Sequence, residues 1–277
     1  MSTLAELARS RELLGNLTMR DVRSRYKRTV LGNVWSLLNP LAAMLIYTVV
    51  FGVLLQVAPD RGDPSGLHVF ALWLLCALLP WTFFAIGVSA GMNALVVNAS
   101  LVLKVYLSRA ALVVSAVFAV GVTFLVELAV LTVVLLLFGA NPLPWLPVVL
   151  VVTLLLAAFA VGVGLLLAIA NVYFRDTQHF VAILLQMWFY LTPILYPVSY
   201  VAAQEDRLAA DGHDLPLLTL FKLNPLEHFV SAFRALLYDN RWPEGSDLLV
   251  CAITAVVALA AGLLVFGRYE GRLAEEL

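Results

Sequence analysis

The stretch that decides the fold covers residues 110–174 and reads AALVVSAVFAVGVTFLVELAVLTVVLLLFGANPLPWLPVVLVVTLLLAAFAVGVGLLLAIANVYF. It carries a single charge, Glu127. A helix needs about 20 apolar residues to cross a hydrocarbon core of roughly 30 Å, because each residue adds about 1.5 Å. The stretch is too long for one such helix, and the glycine, asparagine and prolines at 139–147 are typical of a turn. The sequence therefore predicts two membrane-spanning helices joined by a hairpin turn.

Uncharged stretches also cover residues 29–59, 64–103, 177–204 and 248–267. With 62% hydrophobic and 13% charged residues, the composition excludes a water-soluble fold and a disordered chain. The apolar runs are continuous rather than alternating, which favours helices over a membrane β-barrel. We therefore expect an all-α integral membrane protein with six transmembrane helices, an N-terminal amphipathic interfacial helix, and re-entrant helices between spans 5 and 6.

The positive charges predict the orientation. If the spans alternate in direction, 12 of the 17 lysines and arginines fall on one side of the membrane. The positive-inside rule then places both termini in the cytoplasm. The single predicted transmembrane domain, 1–277, divides into a cytoplasmic amphipathic segment (1–33), spans 1 to 5 (34–197), an external or re-entrant segment (198–246), span 6 (247–267) and a cytoplasmic tail (268–277).

Basic residues crowd the segment before the first span. Thr18 and Asp21 have the spacing of a capping box, and apolar residues recur on one face of the helix that follows. The pattern indicates either a helix docked on the anionic inner leaflet or ordinary positive-inside topology without a docking role. The residues assigned to this interfacial helix and its entry into the membrane are Arg23, Arg25, Tyr26, Lys27 and Trp35.

Two prolines, Pro193 and Pro197, stand where the fifth span should end, and they predict a break in that helix. About 50 residues separate this break from the last span. Within them Asn224 has the features of an N-cap and Pro225 those of a first helical residue. The helix that they start is too short and too charged to cross a bilayer, which favours a re-entrant or interfacial helix on the outer side.

Signatures of catalysis are absent from the sequence. None of the 16 glycines is followed by lysine, so the chain has no Walker A loop and is not expected to hydrolyse ATP. Asp211, His213 and Asp214 share a predicted external loop, where we expect them to be solvated. Glu127 is either a proton relay or an acid near the outer surface or paired across a helix interface. We predict no catalytic residue, bound metal or cofactor in this chain.

Motifs along the chain resemble those of a known family. Residues 23–40, RSRYKRTVLGNVWSLLNP, are similar to the start of the membrane subunits of polysaccharide-exporting ABC transporters. The resemblance continues in order through LPWTFF (79–84), FRD (174–176), TPILYP (192–197) and NPL (224–226). It implies a homodimer of six-helix subunits, in a bacterial cytoplasmic membrane, docked on two copies of a separate ATPase that binds ATP and Mg²⁺. The implied cargo is a lipid-linked polysaccharide, such as an O-antigen, teichoic acid, capsule or cell-wall glycan, and no nucleic acid is involved.

The resemblance suggests roles for three groups of residues. Two short cytoplasmic connections should contact the ATPase through Lys104, Arg109, Arg175 and Asp176. The break and the short helix after it should form an outer gate from Pro193, Pro197, Phe229 and Phe233, facing a second copy of the chain. Aromatic residues of the spans either line a path for sugars or pack and face lipid: Tyr47, Phe51, Trp81, Phe84, Trp188, Tyr190 and Tyr196.

Three other functions remain open at this stage. The nearest alternative is an ABC exporter permease for a drug or a small lipid. A polytopic membrane glycosyltransferase would need acidic or histidine clusters at a membrane surface, for which the residues around His213 are the candidate. An ion-coupled transporter would need charge inside the membrane, for which Glu127 is the candidate.

Overall fold

The computed structural model describes residues 11–26, 34–56, 59–104, 108–210 and 216–271, which form helices and turns without a β-strand. The all-helical prediction is thus confirmed for these residues. The helices in chain order are α1 (Arg11–Tyr26), α2 (Val34–Tyr47), α3 (Phe70–Val97), α4 (Ala99–Lys104), α5 (Arg109–Leu137), α6 (Leu146–Tyr173), α7 (Thr177–Leu191), α8 (Val198–Ala210), α9 (Leu217–Lys222), α10 (Pro225–Arg234) and α11 (Gly245–Tyr269). Two helices continue as π-helical turns, α2 over Thr48–Leu54 and α10 over Ala235–Asp239.

Four of the described helices are long and apolar enough to cross a membrane: α3, α5, α6 and α11. The other two predicted spans are shorter. Residues 34–54 form α2 and its π-helical turn, whereas α7 has 15 residues. At about 1.5 Å per residue α7 is roughly 22 Å long, less than a hydrocarbon core of about 30 Å. The predicted break explains this length, because α7 ends at Leu191 immediately before the segment that contains Pro193 and Pro197.

The long helices form a bundle with α3 inside it. Leu74, Cys76 and Ala77 of α3 have no solvent exposure, and α3 packs against both α5 and α6. Short connections make α3, α5 and α6 successive antiparallel neighbours. We call one end of the bundle the basic end; it carries Asn98, Arg109 and Tyr173. We call the other end the loop end; it carries Phe70, Leu137, Leu146 and Gly245.

Helices α6 and α11 cross with their backbones in contact. A Cβ atom built on Gly162 would lie 2.3 Å from the carbonyl carbon of Ala258, and one built on Gly262 would lie 2.5 Å from the carbonyl oxygen of Gly162. No side chain fits into these gaps. Membrane helices associate through such small residues because lipid supplies no hydrophobic force between them, so close backbone approach has to supply the attraction.

The N-terminal helix α1 packs on the basic end of α5. Leu17 is buried at 6% exposure, and Arg20 Nη2 donates to Asn98 Oδ1 at 2.9 Å. The predicted capping box is wrong: α1 begins at Arg11, which places Thr18 inside the helix. Met19, on the predicted apolar face, is 51% exposed, as a side chain that contacts lipid would be, so that face stays a prediction. The leucines of the preceding turns orient the helix, because they are the residues that contact the bundle.

The interfacial-helix residues fall in different places. Arg23 is exposed on α1. Arg25 and Tyr26 lie in the last turn of α1 and Trp35 in the first turn of α2. Lys27 lies outside the described residues.

Replacing Gly162 by alanine should separate α6 from α11. The added methyl would overlap the backbone of Ala258, which cannot rotate away, so we expect a loss of about 3 kcal/mol of stability. The measurement is the unfolding temperature of the purified protein in detergent. Gly121→Ala is the matched control, because its Cβ would meet only the Phe83 side chain, at an ordinary 3.6 Å. Equal unfolding temperatures for the two variants would contradict the close crossing.

Candidate functional site

The predicted path residues meet in one aromatic network. Trp81 of α3 contacts Trp188 and Phe189 of α7, with ring centroids 6.4 and 5.7 Å apart. Phe84 lies edge-on to Trp188 at 5.6 Å, and Tyr47 of α2 stacks on Phe189 at 6.1 Å. Three helices, α2, α3 and α7, are therefore joined by aromatic contacts of the kind that add to ordinary apolar packing.

The other predicted path residues lie around this network. Phe51 contacts Tyr47 edge-on, and Tyr190 contacts Phe189 in the same way. The Tyr196 hydroxyl donates to the carbonyl oxygen of Tyr190 at 2.8 Å. Tyr190 is the most open of the set at 55% exposure.

The centre of the aromatic network is buried, whereas one of the two roles predicted for these residues was to line a path for sugars. Phe84 has no solvent exposure and Trp81 has 6%, so neither side chain reaches a substrate in this conformation. Their role here is to hold helices together. The side chains that retain accessible surface are Tyr47, Phe51, Trp188, Tyr190 and Tyr196.

A second aromatic layer ties α10 to the bundle. Phe229 stacks on Phe159 of α6, with centroids 6.0 Å apart and planes 6° from parallel. Phe233 contacts Phe124 of α5 edge-on at 6.0 Å, and Phe124 in turn stacks on Phe83. Phe83, Phe124 and Phe159 each lie about 13 residues, or roughly 20 Å, from the loop end of their helices. Helix α10 therefore reaches well below the loop end.

These contacts correct the expected orientation of the gate. Phe229 is 1% exposed and Phe233 is fully buried within the subunit, so neither side chain faces a second copy of the chain. Sequence reasoning could not find these contacts, because the partners Phe124 and Phe159 lie in long apolar spans in which every residue is a candidate for the core.

Asn224 joins the start of α10 to the end of α7. As predicted, it caps α10: its Oδ1 accepts from the backbone N–H of Leu226 at 3.1 Å. The same oxygen accepts from Trp188 Nε1 at 2.8 Å. Its Nδ2 donates to Thr192 Oγ1 at 2.9 Å. The Asn224 side chain thus holds three parts in fixed relative positions: the start of α10, Trp188 of the aromatic network, and the broken end of α7.

Arg234, the last residue of α10, joins three elements. Nη1 donates to the carbonyl oxygen of Pro193 at 2.7 Å, and Nη2 donates to that of Ile194 at 2.8 Å. The guanidinium carbon lies 3.5 Å from the centre of a Trp73 ring of α3, a cation–π contact. The side chain is 9% exposed and makes no ion pair with the described acids. Burial lowers the pKa of Arg234 to about 9, so the group stays charged at neutral pH.

A polar cavity of about 510 Å³ lies beside Arg234 at the loop end. Three aspartates and three arginines contribute to its lining: Asp60, Asp63, Asp239, Arg61, Arg234 and Arg241. Burial raises the pKa of Asp239, whose carboxylate accepts from Arg241 Nε at 3.1 Å. The space can therefore accommodate a polar group that uses both donors and acceptors.

The predicted coupling residues lie at the basic end. Arg175 and Asp176 are exposed in the turn between α6 and α7. Arg109, the first residue of α5, hydrogen-bonds through its backbone N–H to Glu270 Oε1 at 3.2 Å and through its guanidinium to the Glu270 carbonyl. Lys104 is the last residue of α4. Arg175 and Asp176 are thus available to a partner, whereas Arg109 is bonded to Glu270.

Glu127 lies on α5 about 10 residues, or roughly 15 Å, from the loop end. It is 7% exposed, and a small apolar cavity beside it is lined by Leu75, Leu79 and Leu131. The side chains around Glu127 are therefore apolar. Its two predicted roles, as a proton relay or as a structural acid, both remain predictions.

The bundle of long apolar helices is that of an integral membrane protein. Residues 12–206 match the family model described as ABC-2 type transporter. The chain belongs to this ABC-2 type transporter family.

Curated relatives match over nearly the whole chain. The O-antigen export system permease protein RfbA of Myxococcus xanthus is 30% identical over 272 residues, which cover 98% of each chain. A protein of the same name from Klebsiella pneumoniae is 27% identical over 96% of this chain and 95% of its own. The polysialic acid transport protein KpsM of Escherichia coli is 25% identical over 92% of each chain.

Replacing Arg234 by alanine should destabilise the loop end. The variant leaves two buried carbonyls without donors, which we expect to cost about 3 kcal/mol in total. Lysine keeps the charge but lacks the planar fork that reaches both carbonyls, so Arg234→Lys should recover only part of the loss. The measurement is again the unfolding temperature in detergent. Arg207→Ala, which removes an exposed arginine on α8, is the control and should change stability by less than about 0.5 kcal/mol.

Proposed function

We propose that this chain is the transmembrane subunit of an ABC exporter that moves a lipid-linked polysaccharide across the cytoplasmic membrane. The observation that carries the proposal is the end-to-end similarity to permeases named for O-antigen and polysialic acid. The chain supplies the membrane passage and no chemistry of its own. A separate subunit, present in two copies, binds ATP and Mg²⁺ and provides the energy.

The proposed topology has six crossings with both termini in the cytoplasm. Helices α3, α5, α6 and α11 are four of them. Residues 34–54 and α7 supply the other two, and α9 with α10 forms a re-entrant pair that completes the outer half next to α7. The aromatic contacts of Phe229 and Phe233 about 20 Å below the loop end support a re-entrant position, because an interfacial helix would remain near the surface. The proposed segment boundaries are those predicted from the sequence, with spans 1 to 5 in residues 34–197, the external or re-entrant segment in 198–246 and span 6 in 247–267.

The assembly is proposed to be a homodimer in which α2 and α7 lie close to the second copy. Helix α7 supports this, because it presents an exposed apolar face at helical spacing. That face consists of Phe180, Ile183, Leu184, Met187, Tyr190 and Leu191. In this arrangement the accessible rings of Tyr47, Phe51, Trp188, Tyr190 and Tyr196 border the passage between the copies, while the buried Trp81 and Phe84 support them from behind.

The outer gate is proposed to be the segment from Pro193 to α10, moving as a unit. Asn224 and Arg234 fasten both ends of α10 to the broken end of α7. Phe229 and Phe233 anchor the unit in the bundle instead of sealing the passage themselves.

Disruption of the gene should abolish surface polysaccharide while its synthesis continues inside the cell. The measurement is surface labelling of the glycan together with extraction of lipid-linked glycan from the cytoplasmic side, and the wild-type gene in trans is the control. Normal surface glycan with retention of a drug or a small lipid would instead support the alternative cargo.

Charge reversal in the turn between α6 and α7 should uncouple the ATPase from export. Arg175→Glu and Asp176→Lys should each reduce export at least about tenfold while the protein still inserts, because exposed charges contribute little to folding stability. Export and ATPase activity would be measured in the assembled complex. Arg207→Glu reverses an exposed charge on α8, outside the basic end, and is the matched control. Full export by both reversal variants would exclude the contact.

A further inference from the structure

Three potential metal ligands converge where α10 meets the first turn of α11. They are Glu227, His228 and Asp247, whose ligand atoms lie within 4.8 Å of one another. His228 Nδ1 is 2.7 Å from Asp247 Oδ1 and 3.5 Å from Glu227 Oε2. Glu227 is 5% exposed and His228 is 6% exposed. The sequence analysis predicted no metal here, because Asp247 is 19 residues from His228.

The other ring nitrogen of His228 fixes the state of the imidazole. Nε2 lies 2.8 Å from the carbonyl oxygen of Lys222, which can only accept, so Nε2 carries a hydrogen. In the neutral ring Nδ1 then has a lone pair, and this lone pair points at the Asp247 and Glu227 carboxylates. A histidine that binds a metal usually donates its second N–H to a backbone carbonyl or a carboxylate in this way.

Glu227 brings a carboxylate oxygen that lacks a hydrogen bond. Its Oε1 accepts from Ser231 Oγ at 3.2 Å, whereas Oε2 is buried without a hydrogen-bond partner and points toward His228. Three acceptors thus face one another without a donor between them. Such a cluster requires either a metal ion or an added proton, held by His228 or by Glu227.

The distances fit a tetrahedral transition-metal ion after a small adjustment. Ligand atoms about 2.0–2.1 Å from zinc lie about 3.3 Å from each other in a tetrahedron. The 3.5 Å between Nδ1 and Oε2 is close to this value, and the 2.7 Å between Nδ1 and Oδ1 would have to open by about 0.6 Å. The two carboxylates lie within 4.8 Å of one another, so they would have to close by up to about 1.5 Å. An imidazole with two carboxylates suits zinc, whereas calcium and magnesium prefer ligand sets made of oxygen alone.

We propose that Glu227, His228 and Asp247 bind one divalent cation of the zinc type, which fastens α10 to the start of the last span. The fourth coordination position belongs to water. The ion neutralises the buried carboxylates and holds in place the helix that Asn224 and Arg234 attach to α7.

The test uses the full-length chain without a polyhistidine tag, purified in detergent and stripped of metal by a chelator. Titration with Zn²⁺ in a calorimeter should give one site per chain, and Zn²⁺ should raise the unfolding temperature of the wild-type protein. Co²⁺ should give the strong visible absorption of a four-coordinate ion. His228→Gln and Asp247→Asn should each weaken Zn²⁺ binding at least about tenfold and abolish that absorption.

His68→Gln is the control, because it removes an exposed histidine outside the cluster, and it should leave binding unchanged. The proposal is overturned if the wild type binds Zn²⁺ no more tightly than His228→Gln, or if Co²⁺ keeps the weak absorption of the hydrated ion. In either case a proton on His228 or Glu227 takes the place of the metal ion. The wild-type stoichiometry and Co²⁺ spectrum decide the question even if a variant fails to fold, and neither depends on export.

Discussion

Hydrogen bonding of the backbone at the broken end of α7 is the constraint on which the loop-end half of the structure depends. An unpaired buried carbonyl costs about 1–3 kcal/mol of stability. Pro193 and Ile194 each place one backbone carbonyl in the core, where Ile194 has no solvent exposure. Arg234 satisfies both with one planar group. The break is thus stable only because α10 returns to this point, so the sequence of α10 and the prolines of the break have to be understood together. The cation–π contact with Trp73 extends the same joint to α3.

Packing between the helices uses two kinds of surface. The α6–α11 contact depends on Gly162 and Gly262, at which the backbones meet, whereas α10 is held by stacked rings of Phe159 and Phe229. The difference between these two kinds of packing follows from the lengths of α11 and α10. A 25-residue helix such as α11 can gain enough attraction from close approach along its axis, but a 10-residue helix needs large side chains to secure the same hold. The short helix is consequently the element with the most specific contacts.

Local signals in the sequence predicted the end of α7 and the start of α10, but the capping box at Thr18 was wrong and contacts between distant residues were not predicted. Asn224 and Pro225 predicted the start of α10, and Pro193 predicted the end of α7, because capping and the missing proline N–H act within a few residues. The burial of Phe233 and the convergence of His228 with Asp247 depend on tertiary packing. Spans that are apolar on all sides carry no periodicity that distinguishes a lipid-facing residue from a core residue.

Helix α7 connects the two regions to which function is assigned. Its first turn follows Arg175 and Asp176 at the basic end, and Trp188 near its last turn donates to Asn224, which caps α10. A helix of 15 residues is stiff over its length of roughly 22 Å, so a displacement of the turn moves the far end as well. Asn224 and Arg234 bind the broken end at two separate points, so under the proposed coupling such a motion would carry α10 with it. In that proposal the interruption of the helix transmits movement to the loop end, whereas an unbroken span would contact α10 through side-chain packing alone.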